Sequence, residues 1–296
     1  MREFFGFVFI GVLIVIAPAP CRAESPLNDG KKPTSPLLTV PLQIIDDTPY
    51  LQVRVNDSPS RWFILDSGAS ACVVDKAYCK ELSIPLKGRR KGSGAGAGTV
   101  DFFFVESVRF TVAGVTTKTD QAYAIDLSGI STPKDKQLHG LLGYDFFQRY
   151  IVSIDYGKSV MDLYDPKSFV YGGPGESLPL TFKKKVPWVK GTIRVPGHAP
   201  MAEREWLVDT GSSDPLNDEL LAKSTGPKKQ LTGGRGLGKE FQIWQTTADE
   251  VQLGKLHFPK VVGYSGGMKI GGGLLRQFIV IFDYPGKRMI LESNGG

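Results

Sequence analysis

Cysteine, histidine and long apolar runs are scarce in this chain, and each scarcity removes a class of chemistry. Three cysteines and three histidines are spread over 296 residues, without zinc-finger or Cys–His metal spacing. His139, His198 and His257 fall in no Gly-x-Ser-x-Gly elbow, no His-Glu-x-x-His helix and no cysteine–histidine motif. Serine, metallo- and thiol hydrolysis therefore find no support, and the three are expected as surface or hydrogen-bonded loop residues. Charge of one sign is not in large excess: 36 Lys+Arg against 30 Asp+Glu give +6 and a pI near 9.1. The basic runs Lys183-Lys184-Lys185, Lys228-Lys229 and Lys87-Gly88-Arg89-Arg90-Lys91 lie in no nucleic-acid-binding motif. They read as solvated loops, and nucleic acid is not an expected partner.

The apolar run Phe4 to Ala17 is shorter than the roughly 20 residues needed to span a bilayer. Preceded by Arg2 and followed by Pro18-Ala19-Pro20-Cys21-Arg22-Ala23, it reads as an export signal over residues 1–23, cleaved after Ala23. Pro20 stands where a lipid-attachment signal at Cys21 wants a small residue, so lipidation is rejected. Loss of Arg2, Arg22 and Glu3 removes one net positive charge from +6 and leaves +5. The mature chain is expected in the periplasm or secreted, without stable membrane insertion. It keeps Cys72 and Cys79, either as a disulfide, which export permits, or as two buried thiols.

Glycine, by contrast, is abundant at 35 residues, which fits many short strands joined by tight turns: an all-β fold. Residues 24–36 are polar and aperiodic, a flexible tether. Val40 to Ile45, Tyr50 to Val55 and Trp62 to Leu65 read as strands, with turns at Asp46-Asp47 and Asn56-Asp57-Ser58-Pro59. Asp75 to Leu82 reads as a short helix capped by Asp75. An internal repeat organises the rest: Leu141 to Tyr156 aligns without a gap on Lys269 to Tyr284, and each copy then turns and returns as a strand, Val160 to Tyr164 and Arg288 to Leu291. The chain thus divides into an N-terminal unit at 37–165, a Gly-, Pro- and Lys-rich linker at 166–187, and a C-terminal unit at 188–296.

A second phrase also occurs twice. Trp62-Phe63-Ile64-Leu65-Asp66-Ser67-Gly68-Ala69-Ser70 is matched by Glu205-Trp206-Leu207-Val208-Asp209-Thr210-Gly211-Ser212-Ser213. An apolar strand runs into a carboxylate, a small hydroxyl residue and a glycine that permits a sharp turn. Two copies in two halves point to two carboxylates meeting across a pseudo-two-fold axis. Carboxyls held about 3 Å apart cannot both ionise, so they share one proton. The ionised one can activate a water while the protonated one hydrogen-bonds a peptide carbonyl.

Leu65-Asp66-Ser67-Gly68 paired with Leu141-Leu142-Gly143, and Val208-Asp209-Thr210-Gly211 paired with Ile270-Gly271, resemble the pepsin and retropepsin superfamily of aspartic peptidases. The bacterial retropepsin-like proteins are the nearest comparison, and the likeness runs from about Leu37 to Glu292. The resemblance implies a bilobal all-β fold with a cleft floored by Asp66 and Asp209 as catalytic residues, supported by Ser67, Gly68, Thr210, Gly211, Ser212, Gly143 and Gly271. It implies that the Ser67 and Thr210 hydroxyls bond across to the opposite loop. A polypeptide substrate, no metal or organic cofactor, and a monomer carrying both lobes follow from it. The activity implied is endopeptidase hydrolysis of an extended polypeptide; the alternative is a bilobal peptide-binding or scaffolding protein without turnover.

The chain departs from the family pattern at Lys269, which stands at a usually apolar position, and at Ala69, where Ser212 stands in the second half. No tyrosine marks the flap. Alanine at position 69 cannot donate to the aspartate, so the pH optimum is expected at mildly acid to near-neutral values rather than strongly acid ones. The Gly-rich segments after each aspartate are the expected substrate flaps, with Gly94, Ala95 and Gly96 in the first and Gly234 and Gly236 in the second. Neither has the Gly-Lys-Ser/Thr of a phosphate loop. Asp155 and Asp283 are read as hairpin residues, and Trp62 and Trp206 as core packing.

Overall fold

Alternation of apolar and polar residues carries most of the chain into strands. In Thr48–Val55, for example, Val53 and Val55 point into the core while Gln52 and Arg54 face solvent. The computed structural model describes residues 34–92, 99–130, 132, 136–233 and 241–294. The expected export signal, most of the tether, and the flap residues Gly94, Ala95, Gly96, Gly234 and Gly236 lie outside the described residues. Within them the fold is all-β, with two sheets and only short helices, Lys76–Glu81, Tyr144–Arg149, Gly272–Leu275 and the 3₁₀ turn Glu219–Lys223. No helix among the described residues is long and apolar enough to cross a membrane.

The smaller sheet has eight strands, all from the first half of the chain, running in order from Gln43–Ile45 to Lys87–Gly92. At its centre Arg61–Leu65 lies parallel to Leu138–Leu142, with Ile64 opposite Leu141 and Leu65 opposite Leu142. Val73–Asp75 then pairs antiparallel with Leu138–Leu142 and parallel with Val115–Ile125. The larger sheet, of thirteen strands, contains the same arrangement built from second-half residues. His198–Asp209 lies parallel to Lys269–Gly271, with Val208 opposite Ile270 and Asp209 opposite Gly271. Leu216–Asn217 pairs antiparallel with Lys269–Gly271 and parallel with Leu256–Tyr264.

The larger sheet also joins the two halves. Ile151–Asp155 from the first repeat pairs antiparallel with Phe278–Asp283 from the second, with Val152 opposite Phe282, Ser153 opposite Ile281 and Ile154 opposite Val280. Ser153 and Ile281 are equivalent positions of the repeat, and the flanking pairs exchange equivalents. Leu38–Pro41 adds to one side of this seam through Val160–Tyr164. The segment 166–187 is therefore more than a connector. It holds the strand Glu176–Lys183, which pairs with Arg288–Ser293 on one side and Val186–Val195 on the other.

One large buried cluster runs through both halves, including Phe63, Leu142, Phe146, Phe147, Trp206 and Phe282. Trp206 is fully buried as expected, whereas Trp62 is half-buried beneath the Lys136 ammonium, 4.8 Å from its ring centre. The histidines depart from expectation, for all three lie on strands rather than loops. His139 is buried, with Nδ1 2.8 Å from the Gln137 carbonyl oxygen. Asp155 and Asp283 do shape the hairpins: Asp155 accepts from the Lys158 N–H, and Asp283 from the Gly286 N–H and the Arg288 guanidinium. The run Lys87–Lys91 is an exposed edge strand rather than a loop, a charged edge that discourages pairing with other chains.

Two buried carboxylates anchor the segments that follow the repeated loops. Asp75 accepts from the N–H groups of Ala77, Tyr78 and Leu127. Asp218 accepts from the Leu220 N–H, the Trp206 Nε1–H and the Arg204 guanidinium. Removing Asp218 leaves a buried indole donor and an arginine without their acceptor and uncaps the 3₁₀ turn. Asp218→Ala is expected to lower urea-unfolding stability by about 3 kcal/mol, and a loss under about 0.5 kcal/mol would contradict this anchoring role.

Candidate active site

Each Asp-hydroxyl-Gly phrase leaves the C-terminal end of a central strand, so its tip projects beyond the sheet. The Asp66 N–H is held by the Leu142 carbonyl at 2.9 Å. Inside each loop the glycine N–H donates back to its aspartate, Gly68 to Asp66 Oδ1 at 2.9 Å and Gly211 to Asp209 Oδ1 at 3.0 Å. Between loops the hydroxyls reach across. The Ser67 N–H donates to Thr210 Oγ1 and the Thr210 N–H to Ser67 Oγ, both at 3.0 Å. The Ser67 hydroxyl donates to the Val208 carbonyl at 2.8 Å and the Thr210 hydroxyl to the Leu65 carbonyl at 2.6 Å. Both side chains are fully buried, so the four bonds are shielded from competing water.

This lock explains the glycines better than the turn does. Neither Gly68 nor Gly211 lies in the left-handed region, so a turn alone does not require them. A Cβ on Gly68 would fall 2.8 Å from Asp209 Cγ, and one on Gly211 would fall 2.7 Å from Asp66 Cγ. Each glycine is the space into which the opposite carboxylate fits. Beneath the loops the apolar-Gly segments provide support. The Tyr144 N–H donates to the Ala69 carbonyl at 3.0 Å, and the Gly272 N–H to the Ser212 carbonyl at 2.7 Å. Gly143 and Gly271 pass so close that a Cβ would meet the carbonyls of Ala69 and Ser212 at 2.7 and 2.6 Å.

The carboxyls of Asp66 and Asp209 are within hydrogen-bonding reach of each other. Burial, then the charge of Asp209 and the hydrogen bond between them, raise the Asp66 pKa well above the usual carboxylate range. The backbone N–H groups of Gly68 and Ala69 oppose that rise. Asp66 still keeps part of its surface open to solvent, as does Asp209. Ser212 is buried, and its hydroxyl accepts from the Asp214 N–H at 3.3 Å. Lys269 reaches the site, with Nζ 3.7 Å from Asp209 Oδ2 and 3.8 Å from Asp214 Oδ2.

Cys72 and Cys79 are both free, buried thiols rather than a disulfide. Burial, with nearby Asp145 and Asp75 respectively, pushes both thiol pKa values up, that of Cys79 to about 12. Neither is a thiolate at neutral pH. Among the described residues no group of three or more His, Cys, Asp or Glu side chains is arranged to hold a metal ion.

Residues 51–146 match the family model described as aspartyl protease. Over these residues the chain is similar to the aspartyl protease family. The aspartyl protease match takes in the Asp66-Ser67-Gly68 loop and Gly143 beneath it, and ends before the second loop. No curated protein matches the chain. The structure brings Asp66, Ser67, Gly68, Gly143, Asp209, Thr210, Gly211, Ser212 and Gly271 to one place.

Sequence reasoning missed Tyr284, whose buried hydroxyl donates to the Ser67 carbonyl at 3.1 Å. Its ring stacks on Phe147, 5.2 Å between centres, and edges onto Phe182 and Phe282. Its signal in the sequence is position: Tyr156 and Tyr284 close the two copies of the repeat, each directly after a hairpin aspartate. Asp47 was also missed: it takes the Arg276 guanidinium at 3.1 Å, a contact between the halves beside the site.

Because burial and the neighbouring carboxyl raise the folded Asp66 pKa above its unfolded value, its contribution to stability is complete below the ordinary carboxylate pKa. That contribution is lost as pH rises towards the folded value. Asp66→Asn is therefore expected to match the parent at pH 3 and exceed it at pH 7 by about 2 kcal/mol, a figure reduced for the solvent-open part of the carboxyl. Denaturant melts across pH that run parallel for the two proteins would contradict a raised Asp66.

Proposed function

We propose that this protein is an aspartic endopeptidase of two pseudo-two-fold-related lobes in one chain, hydrolysing an extended polypeptide at an Asp66/Asp209 dyad. The observation that carries the reading is the reciprocal lock, in which each loop's hydroxyl and glycine are shaped around the other loop's backbone and carboxylate. Such a pair takes up one proton between two acids. The ionised carboxylate removes a proton from a water as its oxygen attacks the scissile carbonyl carbon. The protonated one hydrogen-bonds and then protonates the carbonyl oxygen, giving a tetrahedral diol. Collapse breaks the C–N bond, the nitrogen receives a proton from the pair, and an acid and an amine leave. The chemistry needs no cofactor.

The lobe relation is supported by the register of the seam, where Ser153 faces its repeat equivalent Ile281 and the flanking pairs exchange equivalents. It is supported also by the two parallel strand pairs that present the loops. One lobe is the smaller sheet, and the other is built on the second-half strands of the larger one. Gly92 pairs with Val100 and Gly233 with Phe241, so the chain leaves and re-enters paired strands around each segment to which we assign a flap role. Both loops reside in one chain, consistent with a monomer, and the export signal expected over residues 1–23 supports activity in the periplasm or outside the cell.

The test compares the mature protein and Asp66→Asn on an unfolded protein substrate across pH, with and without a pepstatin-type inhibitor. Expected are cleavage by the parent, greatest at mildly acid to near-neutral pH, and a fall of at least about a thousandfold in the variant. Equal cleavage by both would remove the dyad from the reaction. No cleavage by either at any pH would favour a peptide-binding protein without turnover.

A further inference from the structure

The two loops are near copies, but their surroundings differ at one point of charge. In the first half Leu141 packs, buried, among Tyr50, Ile64 and Val73, and Ala71 lies buried after the loop. Their equivalents in the second half are Lys269 and Asp214. The strand Lys269–Gly271 is held in register against His198–Asp209, with Lys269 opposite Leu207 and Gly271 opposite Asp209. The lysine side chain, 21% exposed, extends along this strand to the carboxylate, with Nζ 3.7 Å from Asp209 Oδ2 and 3.8 Å from Asp214 Oδ2. Among the described residues no basic side chain stands at ion-pair distance from Asp66. The cation is therefore on one side of the pair only.

We propose that Lys269 is a positioning residue that breaks the symmetry of the pair, holding Asp209 as its ionised member so that the shared proton rests on Asp66. This rests on the endopeptidase reading for its catalytic meaning. A positive charge 3.7 Å from one carboxylate stabilises its anionic form more than that of the farther partner. The other groups facing Asp209 do not cancel this preference. Asp66 is the partner itself, and Asp214 shares the lysine and weakens its pull without supplying another cation. Tyr156 and Tyr284, which also face the pair, are buried phenols kept neutral by pKa values raised chiefly by burial. Asp47, beside Tyr156, is engaged with Arg276. Asp209 then accepts the proton of the attacking water, and Asp66 donates to the scissile carbonyl.

The experiment measures kcat/KM against pH for the parent, Lys269→Met and Lys269→Arg, and follows the aspartate carboxyl carbons by ¹³C NMR on the substrate-free proteins. Removing the cation raises the pH at which the pair first ionises. The acid limb is expected to move up by about one pH unit in Lys269→Met and to return in Lys269→Arg. The Asp209 carboxyl signal is expected to titrate later in the methionine variant. A merely structural lysine would lower activity at all pH values without moving the limb, and that result overturns the proposal. If the methionine variant does not fold, Lys269→Gln takes its place with the same expectation. If the parent proves inactive, the endopeptidase reading fails, but the carboxyl titrations still decide: unchanged signals on removing Lys269 overturn the proposal, and a later Asp209 titration upholds it.

Discussion

The exchange of hydrogen bonds between Ser67 and Thr210 is the constraint on which the rest of the site depends. Two carboxylates repel, and bringing them together in a partly buried place opposes folding. The opposing force is local and geometric. Four buried hydrogen bonds link the two loops, and each hydroxyl both accepts from one backbone N–H and donates to one carbonyl of the other half. At roughly 1 kcal/mol each, they act together against the repulsion between the two carboxylates. Breaking one leaves a buried backbone group unsatisfied, so the lock holds together or fails together.

What surrounds the lock transmits it to the whole molecule. The seam of Ile151–Asp155 on Phe278–Asp283 fixes the distance between the halves. Directly beneath the loops, Tyr284 ties that seam to the Ser67 carbonyl while its ring sits among Phe147, Phe182 and Phe282. The site is therefore positioned by rigid sheet and packed aromatics, which suits a geometry that fails if the acids drift apart. Against this near-symmetry the pair Lys269–Asp214 is confined to one half, and the electrostatics of the two aspartates need not be equal even though their backbones match.

Much of this was legible in the chain itself. The repeated Asp66-Ser67-Gly68 and Asp209-Thr210-Gly211 phrases, and the ungapped match of Leu141–Tyr156 to Lys269–Tyr284, are local signals of periodicity and spacing, and they located the loops and the segments beneath them. The capping role of Asp75 follows from a residue next to its helix. What remained hidden depends on contacts distant in sequence. Segment 166–187 looked like a linker because Gly, Pro and Lys dominate its composition, yet Glu176–Lys183 is a strand: its first half pairs with residues more than a hundred positions away, and its second half with the adjacent Val186–Val195. Gly68 and Gly211 looked like turn residues, because only the assembled pair shows that each leaves room for the opposite carboxylate. Lys269 looked only like a departure from a usually apolar position for the same reason: its partner Asp209 lies across a strand pair.

The most direct measurement is a double-mutant cycle on unfolding free energy with Ser67→Ala, Thr210→Val and the combination. A cooperative lock predicts that the double variant loses less than the sum of the single losses, by about 1–2 kcal/mol. Losses that add to within about 0.3 kcal/mol would mean the two hydroxyls act independently, and the account of how the carboxylates are held together would be wrong.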